Sequence, residues 1–383
     1  MKRVAVVTVG RSDYGILRPV IRAIAEHTDL ELQLIVAGMH LLPEFGATIT
    51  EIEADGYQPH VRVPISLSSD EPIGVAHASG MATVEFADAY AYLAPDVLLV
   101  LGDRFETHAA ATAAVPLRLP IAHIHGGELT EAAIDEQYRH SITKLSHLHF
   151  VANEECARRV IQMGEEMWRV IVSGAPALDN LRFMSLAPVP EVADRHGIEL
   201  AHEFLLVTYH PETLTDQQTA RQIEPLLAAL EPLPFDLVFT APTGDAGYRA
   251  VRQSIETFVR TRAGAFFVTS LGTRDYFSLL SRAAAVVGNS SSGIIEAPSF
   301  RVPVVNVGDR QRGRMRAANV IDVPANASQI AAAIERATSA AFGAGLTGLT
   351  NPYGDGHAAA RIVATLAETP LGRTLLRKRF HAA

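Results

Sequence analysis

The chain has 383 residues, 48% of them hydrophobic and 20% charged, a composition that builds a packed core and excludes a disordered polyelectrolyte. That length exceeds what one hydrophobic core ordinarily organises, so two domains are expected. A formal net charge of -9 argues against a general nucleic-acid binder but leaves room for a local cationic site for phosphates, and the single cysteine, Cys156, excludes an internal disulfide and any multi-cysteine metal site.

The chain opens on "MKRVAVVTVG", a strand running into a glycine, without a signal-peptide cleavage pattern. No apolar run approaches membrane-spanning length, so a soluble, cytoplasmic protein with no membrane partner is expected. Six short apolar runs read as strands in the first half: "RVAVVTV", "ELQLIVA", "DVLLVLG", "PIAHIHG", "LHFVAN" and "RVIVSG". The second half adds "FLLVTYH", "FDLVFTA", "AFFVTS", "AAVVGN" and "VPVVNVG". Their near-continuous hydrophobicity predicts strands covered on both faces, hence parallel sheets with crossover helices. The proline-broken stretch 181–199 reads as a linker between two α/β halves, 1–180 and 198–360, with a C-terminal helix or tail over 361–383 that packs back on the first domain. Its terminal "RKRF" reads as a solvated tail, and Cys156 as a semi-buried thiol in the helix "EECARRVIQMG".

In folds of this class ligands bind beyond the carboxyl ends of the strands, and there the sequence collects polar and glycine-rich loops. In chain order they are "GRSDYG" (10–15), "GDRFE" (102–106), "HIHGGE" (123–128), "HPE" (210–212), "PTGDAG" (242–247) and "GNSSSGIIE" (288–296). Taken singly, each has a plain structural reading. "HIHGGE" is a polar strand end with a tight turn; "GDRFE" sets Arg104 beside Asp103 as an ion pair; "GNSSSGIIE" is a serine-capped helix start. Six such loops in one two-domain chain read as a cleft.

The helix "DEQYRHSITK" (135–144) places Asp135 and Arg139 on one face, His140 and Lys144 on another, and turns Ile134, Tyr138, Ile142 and Leu145 to the core. With Asp103 and Glu128, Asp135 completes a set of three carboxylates near strand or helix ends, and carboxylates grouped in a cleft divide into acid and base roles. His210 is the corresponding titratable group of the second half. In "GNSSSGIIE", Gly293 opens the helix, serine hydroxyls and backbone N–H groups suit a phosphate, and Glu296 suits vicinal hydroxyls such as those of ribose. The basic loop "DRQRGRMR" (309–316), Arg310 included, reads either as a solvated face or as phosphate neutralisation. Two histidines two apart on a strand, His123 and His125, point the same way and invite a zinc reading. HExxH and cysteine patterns are absent, so no metal is expected. Trp168 and the methionines form no functional arrangement.

These motifs, together with "GRSDYGILRP", "VAGMHL", "DEQYRHSITKLSHLHF", "HPETL", "GNSSSGIIEAPSF" and "VNVGDRQRGR", resemble the hydrolysing UDP-N-acetylglucosamine 2-epimerases of sialic acid and related nonulosonic acid biosynthesis, in order and over nearly the whole chain. One departure is Thr243, where similar proteins carry an asparagine. The resemblance implies an α/β fold of two Rossmann-like, doubly wound domains facing a cleft (the GT-B fold), a UDP-sugar substrate, no cofactor, and a homodimer or homotetramer. It implies that Ser290, Ser291 and Ser292 hold the diphosphate, that Glu296 holds ribose, and that Arg11 and His210 position phosphate or sugar. Asp103 and Glu128, then Asp135, are the implied proton-transfer groups, oriented by Arg139 and His140. Arg104, His125, Gly293 and Arg310 complete the substrate contacts, and the glycines of "HIHGGE" let the backbone approach the sugar. Other readings are the same reaction on UDP-2,4-diacetamido-2,4,6-trideoxyglucose, a non-hydrolysing epimerase, a glycosyltransferase, and a non-catalytic nucleotide-sugar sensor.

Overall fold

A computed structural model describes residues 1–65, 71–214 and 219–382, which divide into two compact units. The first holds Met1–Glu128, Asp135–Phe183 and Tyr353–Ala383; the second holds Leu129–Ile134 and Met184–Pro352.

In the first unit, seven strands form one parallel sheet: β1 (Lys2–Thr8), β2 (Leu30–Ala37), β3 (Val61–Val63), β4 (Val97–Leu101), β5 (Ile121–Ile124), β6 (Leu148–Val151) and β7 (Val170–Val172). Their order is β3-β2-β1-β4-β5-β6-β7, so the winding direction reverses between β1 and β4. Helices α1 (Arg11–Ala25), α2 (Pro72–Leu93), α3 (Phe105–Ala114), α4 (Asp135–Leu145), α5 (Glu154–Gln162) and, late in the sequence, a helix over Ala358–Glu368 accompany the sheet. Alternation along β1 decides which face each residue serves. Ala5 and Val7 join the core under α2, α3 and α4, while Val4 and Val6 join the core under α1 and the Ala358–Glu368 helix.

The second unit repeats the plan. Strands β8 (Phe204–Thr208), β9 (Asp236–Thr240), β10 (Ala265–Val268), β11 (Ala285–Gly288), β12 (Val304–Val307) and β13 (Val320–Val323) stand in the order β10-β9-β8-β11-β12-β13, all parallel. Its reversal falls between β8 and β11.

Three boundaries differ from the sequence reading. The second unit ends at Pro352, not 360, because the chain beyond it is bound into the first unit. Ala175 N–H donates to Tyr353 O (2.7 Å), Gly174 and Gly354 approach backbone to backbone, and Asp179 accepts from the N–H groups of Ala358 (3.0 Å) and Ala359 (2.7 Å) at the helix start. The expected linker 181–199 is largely structured, since Val189–His196 is a helix of the second unit. The chain also leaves the first unit for six residues. Arg314 Nε donates to Leu129 O (3.0 Å), Leu214 N–H to Ala132 O (3.2 Å) and Ile134 N–H to Thr213 Oγ1 (2.9 Å), which fastens 129–134 into the second unit. Ile134 therefore lies outside the helix and is 39% exposed instead of buried.

Of the terminal "RKRF", Arg377, Arg379 and Phe380 are exposed, as expected of a solvated tail, while Lys378 anchors it. Lys378 donates to Lys144 O (2.8 Å) and Ser146 O (2.6 Å) and pairs with Glu165 (2.8 Å). Burial works against the Glu165 carboxylate, but His149, Lys144 and Lys378 together hold it down to about 2.

Candidate active site

The residues singled out in the first unit stand at the carboxyl ends of its strands. Arg11 opens α1 directly after β1; Asp103 and Arg104 follow β4; His125 to Glu128 follow β5. Asp135 is the first residue of α4. Strands β1 and β4 flank the reversal of strand order, the position at which doubly wound sheets leave a crevice.

Arg139 organises this end of the sheet. Only 1% exposed, it pairs through Nη2 with the Asp103 carboxylate and donates Nη1 to the carbonyl of Glu128 (3.0 Å) and to Glu136 (3.3 Å). A single guanidinium thus binds the loops after β4 and β5 to α4, the fork geometry for which arginine is suited. The partners differ from those expected. Arg104 pairs with Glu106 (3.2 Å), His140 with Glu136 (3.0 Å), and Lys144 with Glu165 (2.5 Å).

The two histidines of "HIHGGE" do not point the same way. β5 ends at Ile124, and His125 takes a left-handed φ of 66°, a rare conformation for a residue with a side chain. His123 is structural. Its Nε2 donates to Gly102 O (2.7 Å), and burial lowers its pKa to about 3, so the ring stays neutral. His125 Nδ1 is bonded to the Glu128 carboxylate, while its buried Nε2 has no hydrogen-bond partner among the described residues. The glycines answer to packing. A Cβ on Gly127 would meet Cys156 O at 2.5 Å on α5, and one on Gly126 would meet Thr143 Oγ1 at 3.0 Å.

Three carboxylates of this region carried no role in the sequence reading: Glu136, Glu106 and Asp13. Asp13, 8% exposed in the first turn of α1, has its carboxyl pushed up to about 6 by burial, with Arg104 opposing and Glu106 reinforcing the rise. All three stood inside quoted motifs. Their signal was position near a strand end; their partners were invisible.

The second unit builds its own constellation around β8 and β11. The buried Asn289 side chain ties the two loops: its Oδ1 accepts from His210 N–H (2.7 Å) and its Nδ2 donates to His210 O (2.8 Å). Thr243 N–H donates to His210 Nδ1 (3.2 Å), which leaves the ring proton on Nε2. Thr243, the departure noted above, also bonds Asp245 (2.9 Å), and Arg310 Nη2 stands 3.8 Å from the same carboxylate. Glu212 accepts from the backbone N–H groups of Asp309 (3.0 Å) and Arg310 (3.2 Å) and so holds the start of the basic loop. Farther along that loop, Arg314 and Arg316 are engaged with Leu129 O and Asp322.

Ser290 caps a short helix, α6 (Ser291–Ile295), by accepting from Ser292 N–H (3.3 Å); Tyr276 donates to Ser292 Oγ (2.7 Å). Ser290 and Ser291 are half-buried and Glu296, one turn on, is 8% exposed. Gly293 does not open the helix. It is the third residue, and a Cβ there would meet Val304 Cγ1 at 2.9 Å, so its role is to seat α6 on β12.

Residues 22–367 match the sequence profile of the family described as UDP-N-acetylglucosamine 2-epimerase. The chain belongs to that family. It is 37% identical to a GDP/UDP-N,N'-diacetylbacillosamine 2-epimerase (hydrolyzing) of Campylobacter jejuni, over 85% of each chain. It is 35% identical to polysialic acid biosynthesis protein P7 of Escherichia coli, over 92% of this chain and 90% of that one. Its fold is similar to that of a UDP-GlcNAc 2-epimerase from Neisseria meningitidis, with a TM-score of 0.82 at 20% identity, covering 96% of this chain and all of the other. Membership makes the chain a UDP-sugar 2-epimerase with two parallel-sheet α/β units of GT-B type.

Proposed function

We propose that the chain is a hydrolysing 2-epimerase that converts UDP-N-acetylglucosamine and water into UDP and N-acetylmannosamine. The observation that carries this reading is the Arg139 clasp: two carboxylate-bearing loops, after adjacent strands, are fastened by one buried guanidinium. Binding a sugar needs no such arrangement. Moving a proton off one face of a carbon and onto the other does.

The C2 proton of the sugar is only weakly acidic, since no carbonyl adjoins it. The bond from C1 to the UDP oxygen therefore breaks ahead of proton transfer, its electron pair leaving with UDP and positive charge developing at C1 and the ring oxygen. A carboxylate takes the C2 proton and 2-acetamidoglucal results. Water then adds its hydroxyl at C1, and a proton reaches C2 from the opposite face. Asp103 and Glu128 are the proposed proton carriers, with Asp135 next; Arg139 orients Asp103 and the Glu128 loop, and His140 acts on Arg139 through their shared partner Glu136. His125 bonds to Glu128 and directs it. Arg11 and Arg104 face the substrate's charged or hydroxyl groups. On the second unit, Ser290, Ser291, Ser292 and Arg310 receive the diphosphate, Glu296 the ribose, and His210 offers an Nε2–H donor.

Reaction in D₂O tests the scheme. The released sugar should carry one deuterium at C2, and retention of the original hydrogen would exclude elimination. A second reading, the same chemistry on UDP-N,N'-diacetylbacillosamine, is favoured by the name of the Campylobacter jejuni relative. Incubation with each UDP-sugar and identification of the free sugar released separates the two. Release of an epimerised UDP-sugar, with no free sugar, would oppose both.

A further inference from the structure

Alternation along β5 puts His123 on the same face as Ile121, in the core under α2, α3 and α4, where it is fully buried. An aliphatic side chain would fill that place without stripping water from polar atoms, so a buried imidazole there must have its nitrogens satisfied. Both are engaged. Nε2 donates to Gly102 O (2.7 Å), and Nδ1 stands 3.3 Å from Thr143 Oγ1. Burial lowers the pKa of the ring to about 3, so it is a neutral tie and not itself a proton carrier.

What the ring holds is the Asp103–Arg139 pair. Gly102 directly precedes Asp103 and takes a left-handed φ of 77°. Its N–H donates to Ile124 O (2.9 Å) and its carbonyl accepts from the imidazole, so both of its backbone groups are fixed to the end of β5. Thr143 lies one turn beyond Arg139 on α4, and its hydroxyl is also 3.0 Å from Arg139 O, so its one hydrogen serves the ring or that carbonyl. His123 thus stands behind both halves of the ion pair, reaching one through the backbone and the other through a hydroxyl.

The packing around this tie leaves little room to move. A Cβ on Gly126 would stand 3.1 Å from His123 Nδ1 and 3.0 Å from Thr143 Oγ1, close enough to push either by a few tenths of an ångström. A loop that carries a proton-transfer group needs such backing, because a misplacement of about 1 Å can cost about 10²-fold in rate.

We propose that His123 is a positioning residue for the reaction: it sets the place of the Asp103 carboxylate by fixing Gly102 and, through Thr143, the turn of α4 that carries Arg139. This rests on the proposed role of Asp103 as a proton carrier. The substrate for the test is UDP-N-acetylglucosamine, or UDP-N,N'-diacetylbacillosamine if only that is turned over. His123→Leu should lower kcat by about 10–100-fold while the calorimetric Kd for UDP stays within about twofold of the wild type. His123→Gln, whose amide can donate to Gly102 O and accept from Thr143, should recover most of that loss. Gly126→Ala, which presses a methyl group on the ring and the hydroxyl, should lower kcat in the same way by a smaller factor, and it stands in for His123→Leu if that variant does not fold. The deciding measurement is made in an Asp103→Asn background. There His123→Leu or Gly126→Ala should lower kcat no further, because a residue that acts through Asp103 has nothing left to position. A loss that multiplies with that of Asp103→Asn would overturn the proposal and leave the Asp103 assignment standing, whereas normal turnover by Asp103→Asn alone would overturn both. A folded His123→Leu chain with wild-type kcat, a His123→Gln chain as slow as His123→Leu, or a fall in UDP affinity matching the fall in kcat would also overturn it.

Discussion

Asp13→Asn isolates a charge that the fold tolerates at a cost. Asp13 is buried in the first turn of α1, and burial raises its carboxyl from 3.8 to about 6. The folded chain therefore holds a proton that the unfolded chain has released. The associated stability is complete below pH 3.8 and is lost as pH rises through about 6. At ~1.4 kcal/mol per pH unit, the gap between the two values amounts to about 3 kcal/mol, roughly half of it falling between pH 5 and pH 8. Asparagine keeps the shape and an oxygen able to accept from Ser12 Oγ, which lies 3.3 Å from the carboxylate, and it carries no charge at any pH. The variant should gain on the wild type as pH rises. For a unit of about 200 residues, where 1 kcal/mol moves Tm by about 2–4 °C, the Tm difference should widen by about 3–6 °C from pH 5 to pH 8. Calorimetric scans of both proteins at matched ionic strength would measure it. A difference that stays flat, or narrows with rising pH, would show an ordinary carboxylate at Asp13 and refute the reasoning. Arg104 opposes the rise, so the ionised Asp13 partly neutralises a proposed substrate contact; wild-type KM should change across the same pH range and the variant's should not.

Asp103→Asn and Glu128→Gln should each lower turnover by about 10²–10⁴-fold while calorimetric titration with UDP still shows binding; normal turnover in both would return these carboxylates to a structural role. Glu296→Ala should weaken UDP affinity by about 1.5–3 kcal/mol, the worth of a hydrogen bond to a charged group, and an unchanged Kd would remove the ribose assignment. Asp179→Ala strips the side chain that accepts from Ala358 and Ala359 N–H at the helix start and should cost about 0.5–2 kcal/mol, with faster hydrogen exchange over 353–383; unaltered exchange there would mean that Asp179 is dispensable to docking.

Both sheets were legible because parallel strands covered on two faces print themselves as apolar runs. The strands that escaped, β3 (Val61–Val63) and β13 (Val320–Val323), are edge strands of three and four residues interrupted by Arg62 and Asp322, too short and too polar to carry that signature. The loops were legible for a related reason: a polar or glycine cluster directly after an apolar run marks a strand's carboxyl end. What could not be read was pairing across sequence. Asp103 meets Arg139, Asn289 bonds both backbone groups of His210, and Glu212 holds the N–H groups of residues 309 and 310, all contacts that only the sheet's winding creates. Helical spacing misassigned Lys144, which reaches Glu165 off its own helix, whereas Arg139 and His140 do find a partner at helical spacing, in Glu136 instead of the residues expected.

The two constellations use different ties, and the difference fits the charge that the proposed role gives each. In the second unit the tied loops follow β8 and β11, which flank the reversal of strand order, whereas in the first they follow β4, beside the reversal, and its neighbour β5. Around β8 and β11 the tie is Asn289, a neutral amide whose donor and acceptor are both consumed by His210. A neutral tie adds no charge of its own to the proposed diphosphate site, where Arg310 already stands near the Asp245 carboxylate. Around β4 and β5 the groups being positioned are themselves anions. Arg139 offers the Asp103 carboxylate a charged partner and the Glu128 loop a bond to its carbonyl. Glu128 thereby keeps its side chain for His125, and the two proposed proton carriers sit in different electrostatic settings, one paired with a guanidinium and one with an imidazole. Two carboxylates set apart in this way are what a reaction with one base and one acid requires.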